Sequence, residues 1–329
     1  MKRRGLLSLL SAGAATLVFT PGLAGAQQAT AELPRNIKVI VGYPAGGTAD
    51  AAARVFAEGL QKQLGVNVIV DNKPGAGGQL AAEQFRSLPA DGTNLLFANS
   101  HMFSTLPLTS RSVKYDPVKD FTPVARLATF EVALAVSPKQ PAKTLQEYVA
   151  LARGNSAARD FGVPAAGSGP HFVGYVVGKK EGVELMPVPY KGGAPLLADL
   201  MGNHLTAAVD ALGGLQQAHG TGKVRILAVT GPARNASLPD VPTFAELGFD
   251  KLQASSWVGL FAPNGTSPAY IARISAAVNE VARMPSTKAN LSSSGFDVAA
   301  GNPQQLAQSV RGELALWEPI IRESGFKVD

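Results

Sequence analysis

Short apolar runs alternate with longer amphipathic segments through almost the whole chain. Ile37 to Val41 has the length of a strand, and Ala49 to Leu64 follows it with Ala52, Val55, Phe56, Gly59 and Leu60 at helical spacing. Val66 to Val70 predicts the next strand. Gly78 to Leu88 predicts a helix after the turn-rich Asn72–Gly77, and Leu95 to Ala98 a third strand behind the turn pair Asp91-Gly92. Further strands are expected at Val132–Val136, Asp160–Val163, Leu185–Val188, Ala207–Val209, Ile226–Thr230 and Trp257–Ala262. Thr144–Glu147 reads as a capping box opening a helix to about Arg153, and Thr243–Glu246 as another. Helices are expected from about Pro170 and from near Ala194. Ser267-Pro268 and Asn302-Pro303 open the helices of a tail, which run to about Arg283 and about Glu323.

Strand–helix–strand alternation means parallel-leaning sheets covered by helices. Two such sets and a helical tail predict an α/β protein of two lobes, with Val132–Val136 and Trp257–Ala262 as crossovers. Lobe 1 is expected to comprise residues 27–133 and 256–329, and lobe 2 residues 134–255. A ligand would sit in the cleft between them.

Three loops share one local grammar. Tyr43-Pro44-Ala45-Gly46-Gly47-Thr48-Ala49-Asp50 joins a strand to a helix through a glycine pair. Gly167-Ser168-Gly169-Pro170-His171 and Val188-Pro189-Tyr190-Lys191-Gly192-Gly193 repeat the device. A strand that opens through glycines into a helix exposes backbone N–H groups at a positive helix end, which suits an anion. Each glycine could equally serve only an ordinary tight turn. Asp50 poses a conflict: a carboxylate favours the first helical turn but repels an anion. It either caps the helix or receives a cationic group such as a ligand ammonium. Asp210 is either a cap for the next helix or an acceptor for the ligand's distal or amino group.

The N-terminus reads as a targeting segment. Lys2, Arg3 and Arg4 precede the mostly apolar Gly5–Thr20, and Ala24-Gly25-Ala26 is a small-residue cleavage site, so residues 1–26 are expected to be a signal peptide. Paired arginines before Gly5-Leu6-Leu7 also fit a twin-arginine signal, and the general secretory route fits as well. The chain has no cysteine, so no disulfide or lipidated cysteine enters the argument. Without Lys2, Arg3 and Arg4, 27 basic residues face 24 acidic ones. That charge is too small and too scattered for a nucleic-acid footprint. The four histidines, His101, His171, His204 and His219, are dispersed, so no metal site is expected. Gly42, Gly46 and Gly47 do not make a dinucleotide fingerprint, and no cofactor is expected.

The motifs resemble those of the receptors of tripartite tricarboxylate transporters, the Bug receptors. The likeness runs through the Tyr43–Asp50 and Asn72–Gly78 segments, Pro89–Thr93, Tyr115–Pro123, Val188–Gly193, Leu238–Thr243 and Trp257–Pro263, in this order. The resemblance implies a periplasmic, two-lobed binding protein of type II that closes on a small carboxylate and performs no catalysis. It implies partnership with membrane transporter subunits, and the protein is expected to act as a monomer. It also implies a ligand site at Tyr43, Gly46, Gly47, Thr48 and Asp50, with Ser100 and His101 facing the cleft from lobe 1. Gly167, Ser168, Gly169, His171, Tyr190, Lys191, Gly192, Gly193 and Asp210 would form the wall of lobe 2.

Two other readings compete. A sensor signalling to a membrane kinase would have the same cleft. An exported hydrolase would use Ser168, His171 and Asp210, but a nucleophile elbow needs glycine two residues before and after the serine, where Ala166 and Pro170 stand.

Overall fold

β1 (Asn36–Val41) pairs in parallel on both sides, with β2 (Asn67–Asn72) and β3 (Asn94–Asn99). These strands form half of a six-stranded sheet in the order β11-β4-β10-β3-β1-β2. Its other half is antiparallel: β4 (Phe121–Phe130), β10 (Ser256–Pro263) and β11 (Asp297–Gly301). A second sheet of five strands runs β7-β6-β8-β5-β9. It is built from β5 (Val132–Val136), β6 (Asp160–Val163), β7 (Met186–Pro189), β8 (Ala207–Ala211) and β9 (Arg225–Val229). β6 is parallel to β7 and β8, and β5 is antiparallel to β8 and β9. These coordinates are a computed structural model that describes residues 32–328; the expected signal peptide and its cleavage site lie outside the described residues.

Side-chain alternation sets the layers. In β1, Ile37, Val39 and Val41 face one core and Ile40 the other; in β3, Leu95 and Phe97 oppose Leu96 and Ala98. The first face packs on α1 (Thr48–Leu64), α8 (Pro268–Arg283) and α9 (Pro285–Ser293). The second is covered by α2 (Gln79–Phe85), by a π-helical turn His101–Thr105 that runs into α3 (Leu106–Thr109), and by the start of α10 (Pro303–Ser324). Around the second sheet, α4 (Leu145–Gly154) and α5 (Gly169–Glu181) cover one face, and α6 (Gly193–Met201) and α7 (Leu212–Gly220) the other.

The chain enters the second sheet between β4 and β5 and returns between β9 and β10. Val132 and Ala133, placed by the sequence at the end of lobe 1, thus begin a strand of the second sheet. The sequence pattern missed β4 and β11, both antiparallel and both short of clean alternation. Thr243 and Glu246 bond reciprocally at 3.1 and 3.0 Å, as a capping box should, yet only turns follow. The loops after β1, β3, β6, β7 and β8 all stand at carboxyl ends of parallel strands, where ligands of open α/β sheets bind.

Candidate functional site

Four uncapped helix N-termini stand directly after strands: α1 after β1, α5 after β6, α6 after β7 and α7 after β8, the last with Ala211 at its N-cap. In the three glycine loops the N-cap residues of α1, α5 and α6 are Gly47, Ser168 and Gly192, and none supplies a side-chain cap. The starts of α2, α3, α8 and α9 also lack a side-chain cap, whereas Thr144 caps α4 and Asn302 caps α10. An uncapped start leaves its first N–H groups without partners in the helix and carries partial positive charge.

In the first loop Gly46 takes the left-handed conformation, φ 81°. Its N–H donates to Asp50 Oδ2 at 2.9 Å. Arg54 Nε donates to the same oxygen and Asn72 Nδ2 to Oδ1, each at 2.9 Å. Asn72 also donates to the Tyr43 carbonyl at 3.1 Å. Burial alone would raise the Asp50 carboxyl, but the bonds from Arg54, Gly46 and Asn72, with the Arg54 charge, hold it below its usual range. Asp50 is therefore ionised and ties its own loop together. Gly46's N–H is occupied by it, while Gly47 and Thr48 stand exposed.

The other lobe 1 residues fold onto the same cluster. The Tyr43 hydroxyl lies 2.8 Å from Asn99 Oδ1 and 3.1 Å from the Gly77 carbonyl. His101 Nδ1 is 2.7 Å from Thr105 Oγ1, and its Nε2 fills the space where Gly77 lacks a side chain. Burial pushes His101 down to about 4, so it is neutral at pH 7. Ser100 is buried, and its carbonyl accepts the Ser104 hydroxyl.

In the second loop Gly167, φ 67°, donates its N–H to His171 Nδ1 at 3.2 Å. That bond leaves the His171 ring proton on Nε2. The ring is buried edge-on to Phe326 at 4.3 Å, and burial lowers it to about 4. The Ser168 hydroxyl donates to the Ala165 carbonyl at 2.8 Å. A β-carbon at Gly169 would meet nothing within 4 Å, so the start of α5 is open there.

The third loop lies beside the second, since Tyr190 N donates to the Val163 carbonyl at 2.8 Å and Gly192 N to the Pro164 carbonyl at 2.9 Å. The Tyr190 hydroxyl donates to Asp199 Oδ2 at 2.7 Å; burial and Asp199 push it up to about 12. Lys191 is exposed. Asp210 is buried against Gly193, accepts Ala211 N on Oδ1 at 2.7 Å, and is pushed up by burial to about 6.

The predicted residues thus form a lobe 1 group and a lobe 2 group. Among the described residues no hydrogen bond joins the 43–50 loop to the 167–171 loop. The lobes meet at Gly167, where a β-carbon would stand 3.1 Å from Thr109 Oγ1 of α3. Ser168, His171 and Asp210 each bond elsewhere and make no hydrogen bond with one another. Sequence reasoning named no role for Arg54, Asn72 or Asn99. Only the place of Asn72 and Asn99 at strand ends beside the named loops could have pointed to them.

A family model described as the tripartite tricarboxylate transporter family receptor matches residues 52–326. Protein BugT of Bordetella pertussis is 30% identical over 312 residues, covering 94% of this chain and 96% of that one. The solved structure of R. palustris Rpa4515 with adipate superposes with a TM-score of 0.81 at 31% identity, covering 89% of this chain and 98% of that one. MatC from Rhodopseudomonas palustris with bound malate superposes with a TM-score of 0.76 at 30% identity, covering 87% and 99%. Sheet order, uncapped helix starts and these matches agree: the chain belongs to the tripartite tricarboxylate transporter receptor family, the Bug receptors, and has their two-lobed periplasmic binding protein fold.

Proposed function

We propose that the protein captures a small carboxylate in the cleft between its lobes and delivers it to a transporter in the membrane. The observation that carries this reading is the set of uncapped starts of α1, α5 and α6, all at carboxyl ends of strands. The acid's oxygens would take the N–H groups at the starts of α1 and α5, with the hydroxyls of Thr48 and Ser168 beside them. Ser168 can donate to a ligand only by releasing the Ala165 carbonyl. His101 and His171 are neutral, so neutral donors do most of the holding. The adipate and malate complexes of its relatives support a carboxylate as the guest. The protein would reach the periplasm through residues 1–26, cleaved after about Ala26.

The test is thermal unfolding of ligand-free protein with a panel of carboxylic acids that includes adipate and malate. At a concentration 100-fold above its dissociation constant, a bound acid adds ~2.7 kcal/mol of stability. Ser168→Trp should abolish that gain while the fold survives. A panel in which no acid shifts the transition rejects the reading.

A further inference from the structure

Residues 325–328, which follow α10, form a strap between α3 and the second glycine loop. Gly325 ends α10 in the left-handed conformation, φ 68°, and turns the chain. Phe326 N then donates to Ser324 Oγ at 3.2 Å. Lys327 Nζ donates to the Leu108 carbonyl at 2.9 Å, and Val328 N to the Thr109 carbonyl at 3.0 Å. Leu108 and Thr109 end α3, where a helix leaves its last carbonyls without partners of its own. α3 lies in the connection that leaves β3, so one side of the strap is fixed to the first sheet.

The other side lies on the β6–α5 loop of the second sheet. The Phe326 ring meets His171 edge-on at 4.3 Å and Phe172 at 6.0 Å. His171 itself stacks on Phe172 at 4.9 Å, so its ring is clamped between two phenylalanines. A β-carbon at Gly167 would stand 3.0 Å from Phe326 and 3.2 Å from Val328, so the strap covers the side of Gly167 that lacks a side chain. Gly167 is left-handed and its N–H is held by His171 Nδ1 at 3.2 Å. Among the described residues that is the only hydrogen bond of the His171 ring. Packing must therefore set the angle of the ring, and Phe326 is one wall of that packing.

A loop that its guest has to order costs affinity, and a loop already fixed does not. We infer that Phe326 is a positioning residue for the carboxylate grip: it fixes the His171 ring, which holds Gly167 and with it Ser168 and the first N–H groups of α5, while Lys327 and Val328 moor the strap to α3. The effect on the loop stands on this geometry alone. The effect on affinity rests on the carboxylate reading above.

Hydrogen exchange of the ligand-free protein and calorimetric titration with adipate and with malate test it, in wild type, Phe326→Ala and Phe326→Leu. An aromatic contact is worth up to ~10-fold in an equilibrium constant. Phe326→Ala should speed exchange in residues 165–172 by up to ~10-fold, with no matching rise in β5, β6 and β8. It should also weaken whichever of the two acids the wild type binds by roughly 5–10-fold. Phe326→Leu keeps apolar bulk against His171 and should change both readouts less. A residue that only stabilised the fold would raise exchange through the second core and the loop alike. That pattern, an unchanged loop, or an unchanged affinity for an acid the wild type binds overturns the inference. A wild type that binds neither acid counts against the carboxylate reading, and exchange in the loop then decides the role of Phe326. If Phe326→Ala does not fold, Phe326→Leu decides by the same criteria.

Discussion

Replacing Glu313 with glutamine should remove a fall in stability that the wild-type protein shows between about pH 6.5 and about pH 8. Glu313 is buried on α10, and burial pushes it up to about 8, while Ser104 and Trp257 draw it back. The Ser104 hydroxyl has one proton and two acceptors in reach, the Ser100 carbonyl and Glu313 Oε2 at 2.8 Å. When Ser104 donates to the carbonyl, Glu313 must hold its own proton and donate it to Ser104. In the unfolded chain the group titrates near its ordinary value of 4.5. Between the two values the native state binds the extra proton. Its contribution is complete at low pH and is lost as pH climbs through about 8. His101 and His171 work with the opposite sign. Lowered to about 4 from 6.5, they cost stability in acid, and that cost is gone above about 6.5. Asp210 shares the sign of Glu313 but is spent by about 6. Above that point Glu313 is the one of these four still titrating, and Lys251 is the other charged residue lining the adjoining cavity. At 1.36 kcal/mol per pH unit, the wild type should lose ~2 kcal/mol across the window. Urea unfolding followed by tryptophan fluorescence at a series of pH values reads this directly. Glutamine keeps a donor for Ser104 but cannot titrate. A wild-type profile that stays flat, or a variant with the wild-type slope, refutes the reasoning.

Asp50→Ala takes the acceptor from the Gly46 N–H and from Arg54 and leaves the Asn72 amide only its bond to the Tyr43 carbonyl, and should cost about 2–3 kcal/mol in urea unfolding, with faster hydrogen exchange in the 43–48 loop. Tyr43→Phe removes the hydroxyl held by Asn99 and Gly77 and should cost about 1 kcal/mol by the same assay; an unchanged midpoint would show that the link is idle. Gly59→Ala drives a methyl group of α1 into Val281 of α8 and should destabilise by about 1–3 kcal/mol. Val281→Ala in the same chain should restore most of that loss, and two losses that simply add would reject the contact.

The fold was legible where burial on one or both faces left a clear pattern. β1 and β3 are nearly continuous apolar runs, and Asn302, read as the cap before Pro303, does cap α10, with Gln305 bonding back to it. β4 was not legible because Pro123 and Arg126 interrupt its apolar positions. Arg126 is accommodated only by distant partners, the Ala299 carbonyl at 2.8 Å and Ser309. At the site, the glycine loops could be located but their internal bonds could not. Asp50 could be read as a helix cap or as a receiver for a ligand ammonium; its Oδ2 is held locally by Gly46 and Arg54, but the third bond, from Asn72 to Oδ1, comes from 22 positions away across a strand pair. Glu313 carried no local signal, since its partner Ser104 lies 209 positions away. Long-range polar pairs of this kind leave no periodic trace in a sequence.

The helix that carries Glu313 also bears on how two sheets with separate cores form one compact unit. Leu306 and Val310 of α10 lie in the core of the first sheet, and Trp317, Ile320 and Ile321 in that of the second. Glu313 falls between these groups, bonded to Ser104 on the first side and lining a cavity with Gly169, Val173 and Thr230 on the second. Pro319, inside the helix, removes one backbone hydrogen bond where α10 meets the second core. A change in angle between the sheets must be taken up at α10 and at the two strand crossovers, because the chain passes between the sheets nowhere else. Whether Glu313 keeps its proton therefore affects the same segment that domain closure would have to bend.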